Sequence, residues 1–127
     1  MKEIYKDIKG YEDRYQISNL GNVKSKEIIL YYNGIDNPQL FPERILKPER
    51  TFKGYFRVQL AKNGIKKKVY IHRIVASHFI DNLLNKAQVN HKNGIKNDNR
   101  VENLEWVSML ENISHYNLVL KPMKLTV

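Results

Sequence analysis

The chain has 127 residues, 42% hydrophobic and 28% charged, which suits one domain with a modest core and excludes a wholly disordered polymer. Its 22 Lys and Arg against 13 Asp and Glu give a net charge of +9, a balance that favours a nucleic-acid partner. The absence of cysteine excludes disulfides, thiolate nucleophiles and Cys-ligated zinc.

No run approaches the roughly 20 apolar residues that span a bilayer, so no membrane partner is expected. The opening MKEIYKDIKG carries acids and lacks an apolar h-region, so it does not read as a signal peptide, and a cytoplasmic location is expected. Residues 15–18 and 23–25 are short β-like runs separated by the turn cluster Asn19-Leu20-Gly21-Asn22, which predicts a hairpin. Residues 28–41 contain two turn signals, Asn33-Gly34 and Asn37-Pro38, and read as a loop or excursion between strands. Residues 44–48 predict another short strand. In 55–60 the alternation is regular, with Tyr55, Arg57 and Gln59 on one face and Phe56, Val58 and Leu60 on the other. Asn63-Gly64 predicts a tight hairpin whose return strand starts at Lys66-Lys67-Lys68 and runs through Val69, Tyr70 and Ile71. The three lysines serve either as a solvated edge that discourages strand pairing or as a phosphate-tracking ribbon, and both can hold together.

Residues 72–80 have a helical pattern with Ile74, Val75, His78 and Phe79 at core spacing. After a loop at 81–87, an extended run Val89-Asn90-His91 is followed by the polar connection 92–99. A second extended run, Asn103-Leu104-Glu105-Trp106-Val107, leads to Ser108, a candidate N-cap with Glu111 three residues on. Asn112 and His115 lie one turn apart on the helix this predicts. The tail from Lys121 has no clear period. Extended–turn–extended–helix, with polar donors on the first strand and on the helix, can build a metal site without cysteine.

These stretches carry a resemblance. His72-Arg73-Ile74-Val75-Ala76-Ser77-His78-Phe79, then Val89 through Ser108, then Glu111-Asn112-Ile113-Ser114-His115 are similar in type and order to the HNH endonucleases of the ββα-metal (His-Me finger) fold. The branch they resemble is that of phage and intron-encoded homing endonucleases. The N-terminal Ile8-Lys9-Gly10-Tyr11-Glu12 and Tyr15-Gln16-Ile17-Ser18-Asn19-Leu20-Gly21-Asn22-Val23 resemble the module that precedes the motif in that branch. The resemblance implies an α+β fold: an antiparallel β-rich DNA-binding module at 1–70, a ββα-metal nuclease motif at 71–120 and a tail at 121–127. It implies hydrolysis of DNA phosphodiesters by a His-activated water, with one divalent ion, Mg²⁺ with Mn²⁺ able to substitute.

By this resemblance His91 matches the general base, a role that suits imidazole because its ordinary pKa of about 6.5 leaves it largely neutral near pH 7. Asn103 matches the middle Asn that ties the two strands and orients the His-bearing loop. Asn112 matches a metal ligand on the helix and Asn90 the strand ligand, with His115 as the alternative helix ligand. The chain departs from the pattern at Asn90, where some members carry Asp, and at Asn93, Ile95 and Asp98. An Asp–Asn pair binds a hard cation better than an Asn–Asn pair.

The basic hairpin, with Lys53, Arg57, Lys62 and Lys66 to Lys68, would position a duplex, since a two-stranded ribbon fits the major groove. Arg57 and Gln59 are the candidate base readers, Lys66, Lys67 and Lys68 the phosphate contacts, and Arg73 a further phosphate contact. The expected partner is double-stranded DNA, bound by a monomer or a homodimer. The competing reading is a binding module of the same fold with catalysis lost through a weakened metal shell.

Overall fold

The computed structural model describes residues 2–31 and 38–122. The turn signals at Asn33-Gly34 and Asn37, and tail residues 123–127, lie outside these. Among the described residues the strands are, in chain order, β1 (Tyr5–Asp7), β2 (Tyr15–Ser18), β3 (Val23–Ser25), β4 (Ile28–Leu30), β5 (Gln39–Phe41) and β6 (Arg44–Ile45). They continue with β7 (Glu49–Arg50), β8 (Phe56–Lys62), β9 (Ile65–Tyr70), β10 (Gln88–His91) and β11 (Leu104–Val107). Helix α1 (Ile71–Phe79) follows β9 directly, and α2 (Met109–His115) follows β11 and continues as a wider π-helical turn over Tyr116–Leu120. The architecture is the mixed α+β fold that the sequence implies. No helix among the described residues is long and apolar enough to cross a membrane.

Every strand pair is antiparallel, in a four-stranded sheet ordered β1-β2-β3-β6, a three-stranded sheet β7-β8-β9 and the two ribbons β4-β5 and β10-β11. The expected β2–β3 hairpin is present. Ser18 Oγ accepts from the backbone amides of Leu20 (3.2 Å) and Asn22 (3.0 Å), and Gly21 takes φ +89°, a conformation that side chains with a Cβ rarely adopt.

Three expectations need correction. Residues 28–41 are not simply a loop, because Ile28, Ile29 and Leu30 pair with Phe41, Leu40 and Gln39, and such cross-strand apolar pairs stabilise a ribbon where turn residues dominate the local signal. The strand expected at 44–48 is ladder-bonded only at Arg44–Ile45; Leu46 adds one bond to the Val23 carbonyl (2.8 Å), and Pro48 has no amide to donate. The return strand ends at Tyr70, since Ile71, 3% exposed, already belongs to the buried face of α1.

One core joins all of this. Ile8, Tyr15, Ile17 and Val23 from the N-terminal sheet meet Val58 and Leu60 of β8, the α1 residues Ile71, Ile74, Val75 and Ala76, and Val89 and Leu104 of the β10–β11 ribbon. Helix α1 lies at its centre, with Val75 fully buried; His78 and Phe79 of the same helix are half-buried. His78 accepts from the Lys9 amide at Nε2 (2.9 Å), which leaves Nδ1–H to donate to the Ile74 carbonyl (2.8 Å). Trp106 packs against this core and donates its indole N–H to the Ile80 carbonyl (3.1 Å), tying β11 to the end of α1. The β2–β3 turn also docks on residues 99–101: the Val101 amide donates to the Asn19 carbonyl (2.9 Å), and a Cβ on Gly21 would sit 2.9 Å from Asn99 Cβ.

Candidate active site

The site is built on β10 and β11, paired so that Asn90 faces Glu105 and His91 faces Leu104. The polar connection between them is folded around one buried amide. Asn103 Nδ2 donates to Asn93 Oδ1 (3.0 Å) and to the Asp98 carbonyl (2.8 Å), and its Oδ1 accepts from the Asn93 amide (3.1 Å). The Asn103 carbonyl accepts from the Lys92 amide (2.8 Å), so Asn103 spans the loop that follows His91. Asp98 closes that loop by accepting from Asn93 Nδ2 (2.8 Å) and from Arg100 at 2.7 and 2.9 Å; the Arg100 bonds chiefly hold its carboxyl down at about 2.

Helix α2 opens with the expected capping box. Ser108 Oγ accepts from the Glu111 amide (3.2 Å), and the Glu111 carboxylate accepts from the Ser108 amide (3.0 Å). This start sets Asn112 against β10, where its Nδ2 donates to Gln88 Oε1 (3.0 Å). Asn90, His91 and Asn112 then line one cavity of about 340 Å³ with Tyr55 and Lys96, flanked by Ile113, Tyr116 and Leu120.

His91 is 5% exposed, and its Nε2 lies 2.8 Å from Asn99 Oδ1. An amide oxygen only accepts, so Nε2 carries the proton and Nδ1 carries the lone pair. Burial pushes the His91 pKa below 6.5; the Asn99 bond and Asp98 oppose that shift and Lys96 adds to it. The result is a neutral imidazole at neutral pH with a defined tautomer. Asn99, itself buried, is a site residue that the sequence reading misses, although its place at the end of an Asn-rich connection is a signal that could have found it. Removing an orienting partner of this kind costs about tenfold to a hundredfold. Asn99→Ala is therefore expected to lower the cleavage rate by that factor while duplex affinity stays constant, as read by single-turnover kinetics beside a binding titration.

A ring cluster backs the base. The His72 ring centroid is 5.0 Å from that of His91, and Tyr55 lies 5.1 Å from His72 and 6.0 Å from His91. His72 Nδ1 is buried without a hydrogen-bond partner among the described residues, and burial, reinforced by His91 and Arg73, pushes the pKa to about 3. The unfolded chain takes up this proton near pH 6.5 and the folded chain only near 3, so stability present above 6.5 is lost as pH falls. That loss amounts to about 2 kcal/mol between pH 6.5 and 5, at about 1.4 kcal/mol per unit. His72→Phe, which keeps a ring without a proton site, is expected to remove most of this loss in urea melts at the two pH values. An unchanged difference would contradict it.

The other expected site residues divide. His115 is half-buried on α2 but does not line the cavity with Asn112, and its Nδ1 is buried without a partner among the described residues. Arg57 and Lys68 share Glu49 of β7 at 3.0 and 3.2 Å. Gln59 stands exposed opposite Lys68, and Lys66 lies opposite Ala61, so these four share one face of the β8–β9 pair. Lys67, opposite Leu60, falls on the other face and lines a separate cavity of about 310 Å³ with Arg73. Arg73 donates to the Ala87 carbonyl (3.2 Å) and lies over the Trp106 ring at 5.9 Å.

For a cation, the donors beside His91 are amide oxygens. Asn90 Nδ2 is engaged by Glu105 Oε1 (3.0 Å) and Asn112 Nδ2 by Gln88 Oε1, which leaves both side-chain oxygens for the cavity. Oxygen donors of this kind fit a hard divalent ion. No cluster of three or more His, Asp or Glu able to hold a metal occurs among the described residues, so ion binding here would lean on water and on substrate oxygens.

Comparison with known proteins matches two stretches of the chain. Residues 3–61 match the model of the NUMOD4 motif and residues 69–114 that of an HNH endonuclease. DNA endonuclease I-HmuI of Bacillus phage SP01 is 36% identical over 111 residues, covering 87% of this chain and 56% of that protein. An uncharacterized HNH endonuclease, L247 of Acanthamoeba polyphaga mimivirus, is 41% identical over 118 residues, covering 89% of this chain and 26% of its own length. A solved structure of the HNH homing endonuclease I-HmuI, described as showing DNA binding and cleavage, superposes with a TM-score of 0.72 at 34% identity, covering 96% of this chain and 65% of that one. The chain thus spans about half of the phage relative and about a quarter of the mimivirus one. With the two models matched in this order, the chain carries a NUMOD4 motif followed by an HNH endonuclease domain and is similar to the phage homing endonuclease I-HmuI.

Proposed function

We propose that this protein is a metal-dependent DNA endonuclease that hydrolyses phosphodiester bonds of double-stranded DNA with a water activated by His91. The observation that carries this reading is the buried, neutral His91 tautomer, protonated at Nε2, in a cavity shared with the amides of Asn90 and Asn112. In this mechanism His91 Nδ1 accepts the proton of the attacking water. Asn99 fixes the tautomer, and Asn103 holds the loop that sets the position of the base. Asn90 and Asn112 would hold one divalent ion, Mg²⁺ or in its place Mn²⁺, which supplies charge stabilisation on the scissile phosphate and the leaving 3′ oxygen. The products are a 5′ phosphate and a 3′ hydroxyl.

In this reading residues 1–70 position the duplex, through Arg57, Gln59 and Lys66 on the exposed β8–β9 face, and residues 71–120 carry the chemistry. The protein acts in the cytoplasm as a monomer or homodimer. The test is supercoiled plasmid incubated with Mg²⁺, with Mn²⁺ and with EDTA. Conversion to nicked or linear plasmid that depends on the ion is the expected result. A second reading, a binding module without catalysis, is favoured by the neutral Asn90–Asn112 pair; a plasmid that is shifted in gels and never cut in either metal would establish it over the first.

A further inference from the structure

Next to the catalytic cavity lies a depression of about 400 Å³ lined by Arg50, Lys53, Lys96 and Asn97 and by no carboxylate. Gly94 and Lys96 line both, so the two adjoin. Arg50 and Lys53 also line a further depression of about 400 Å³ toward Arg57 and Tyr70. Lys96 Nζ donates to the Lys53 carbonyl (2.7 Å) and lies 4.8 Å from the Tyr55 ring centroid, which fastens the loop after His91 to the β7–β8 turn. Gly54, at φ +94°, lies between the two cations: a Cβ there would make ordinary contacts with Lys96 Cδ at 3.5 Å and Arg50 Nη2 at 3.9 Å.

Charge pairing separates this group from Arg57, Lys68 and Arg100. Arg57 and Lys68 are neutralised by Glu49, and Arg100 by Asp98 and Glu102. Arg50, Lys53 and Lys96 have no ion pair with a carboxylate among the described residues. Converging, exposed and uncompensated cations beside a phosphodiester site suit consecutive backbone phosphates.

We propose that Arg50, Lys53 and Lys96 clamp the DNA backbone phosphates that flank the scissile one, and that Lys96, carried on the same loop as His91, sets the register between strand and base. This rests on the DNA endonuclease reading. The side chains of Arg50 and Lys53 are exposed and hold no other described residue, so the double variant Arg50→Gln/Lys53→Gln leaves the fold intact. The charge-matched control is Lys2→Gln/Lys9→Gln, two exposed lysines that flank β1 and lie outside the β8–β9 face given to the duplex.

Duplex affinity of the full chain is measured across a salt series in EDTA, followed by phosphate-ethylation interference. Removing one cation that neutralises a phosphate lowers the slope of log affinity against log salt by about 0.9, so the clamp variant is expected to lose about 1.8 and the control nothing. The interference signals that disappear are expected beside the cut site. Lys96→Met, with Lys96→Arg as rescue, is expected to scatter cut positions that the Arg variant restores. Equal slopes in clamp variant and control, or signals that disappear only at phosphates remote from the cut, would overturn the clamp while the parent still cuts. A parent that neither binds nor cuts DNA would overturn the endonuclease reading itself.

Discussion

His91→Ala is expected to remove metal-dependent cleavage while leaving salt-sensitive duplex binding nearly intact. General-base catalysis contributes about 10² to 10⁴ in rate, so the residual activity should lie at or below the detection of a plasmid assay. Binding should persist because the cations proposed to meet phosphate lie on other residues, and removing a neutral imidazole alters no charge at pH 7. The alternative is a structural role, since His91 is buried and packs on His72 and Tyr55. A thermal melt decides between the two. A variant that melts with the parent and binds but does not cut supports the base; joint loss of binding, stability and cleavage assigns His91 to the scaffold.

Asn103→Ala carries the largest expected effect on stability. It deletes two donated bonds and one accepted bond of a buried amide, and leaves the Asn93 amide and the Asp98 carbonyl without this partner. At about 1 kcal/mol for each bond, with an added penalty for groups left unsatisfied, the loss is about 2 to 4 kcal/mol in urea unfolding. Cleavage should fall as well, because the loop it fastens begins at His91 and carries Lys96 and Asn99. Asn103→Asp is the informative partner variant: it keeps the acceptor for the Asn93 amide and loses both donations. Its second carboxylate oxygen would face two acceptors, Asn93 Oδ1 and the Asp98 carbonyl, so it should be at least as destabilised as Ala. A change below about 0.5 kcal/mol for Asn103→Ala would contradict this role.

Much of the fold was legible because its signals are local. The Gly21 turn, the Asn63-Gly64 hairpin and the Ser108–Glu111 capping box each lie within four residues, and all three features are present. The gathering of Asn90, His91 and Asn112 in one cavity agrees with what strand–turn–strand–helix order and the family resemblance together implied, whereas His115 stays outside it. What escaped depends on contacts distant in sequence. The pairing of Arg57 and Lys68 with Glu49 needs β7, a two-residue strand too short to carry a pattern. The separation of Lys67 from its neighbours follows from the pleat, but what each face meets depends on how β8 and β9 pack against the rest of the chain. The Asn-rich connection marks Asn99 only as one amide among several; that it meets His91 also depends on the turn roughly eighty residues earlier, where Gly21 and Asn19 pack on residues 99–101.

The most direct test of the proposed chemistry is a metal jump on preformed complexes. Parent and His91→Ala proteins are bound to an end-labelled duplex in EDTA, excess Mg²⁺ is added, and the ends of the products are analysed. A His91-activated, ion-dependent hydrolysis requires that the parent complex stays intact until the ion arrives and then yields 5′ phosphate and 3′ hydroxyl ends, while the His91→Ala complex remains bound and uncut. Cleavage before Mg²⁺ is added, or cleavage by His91→Ala at the parental rate, would contradict it.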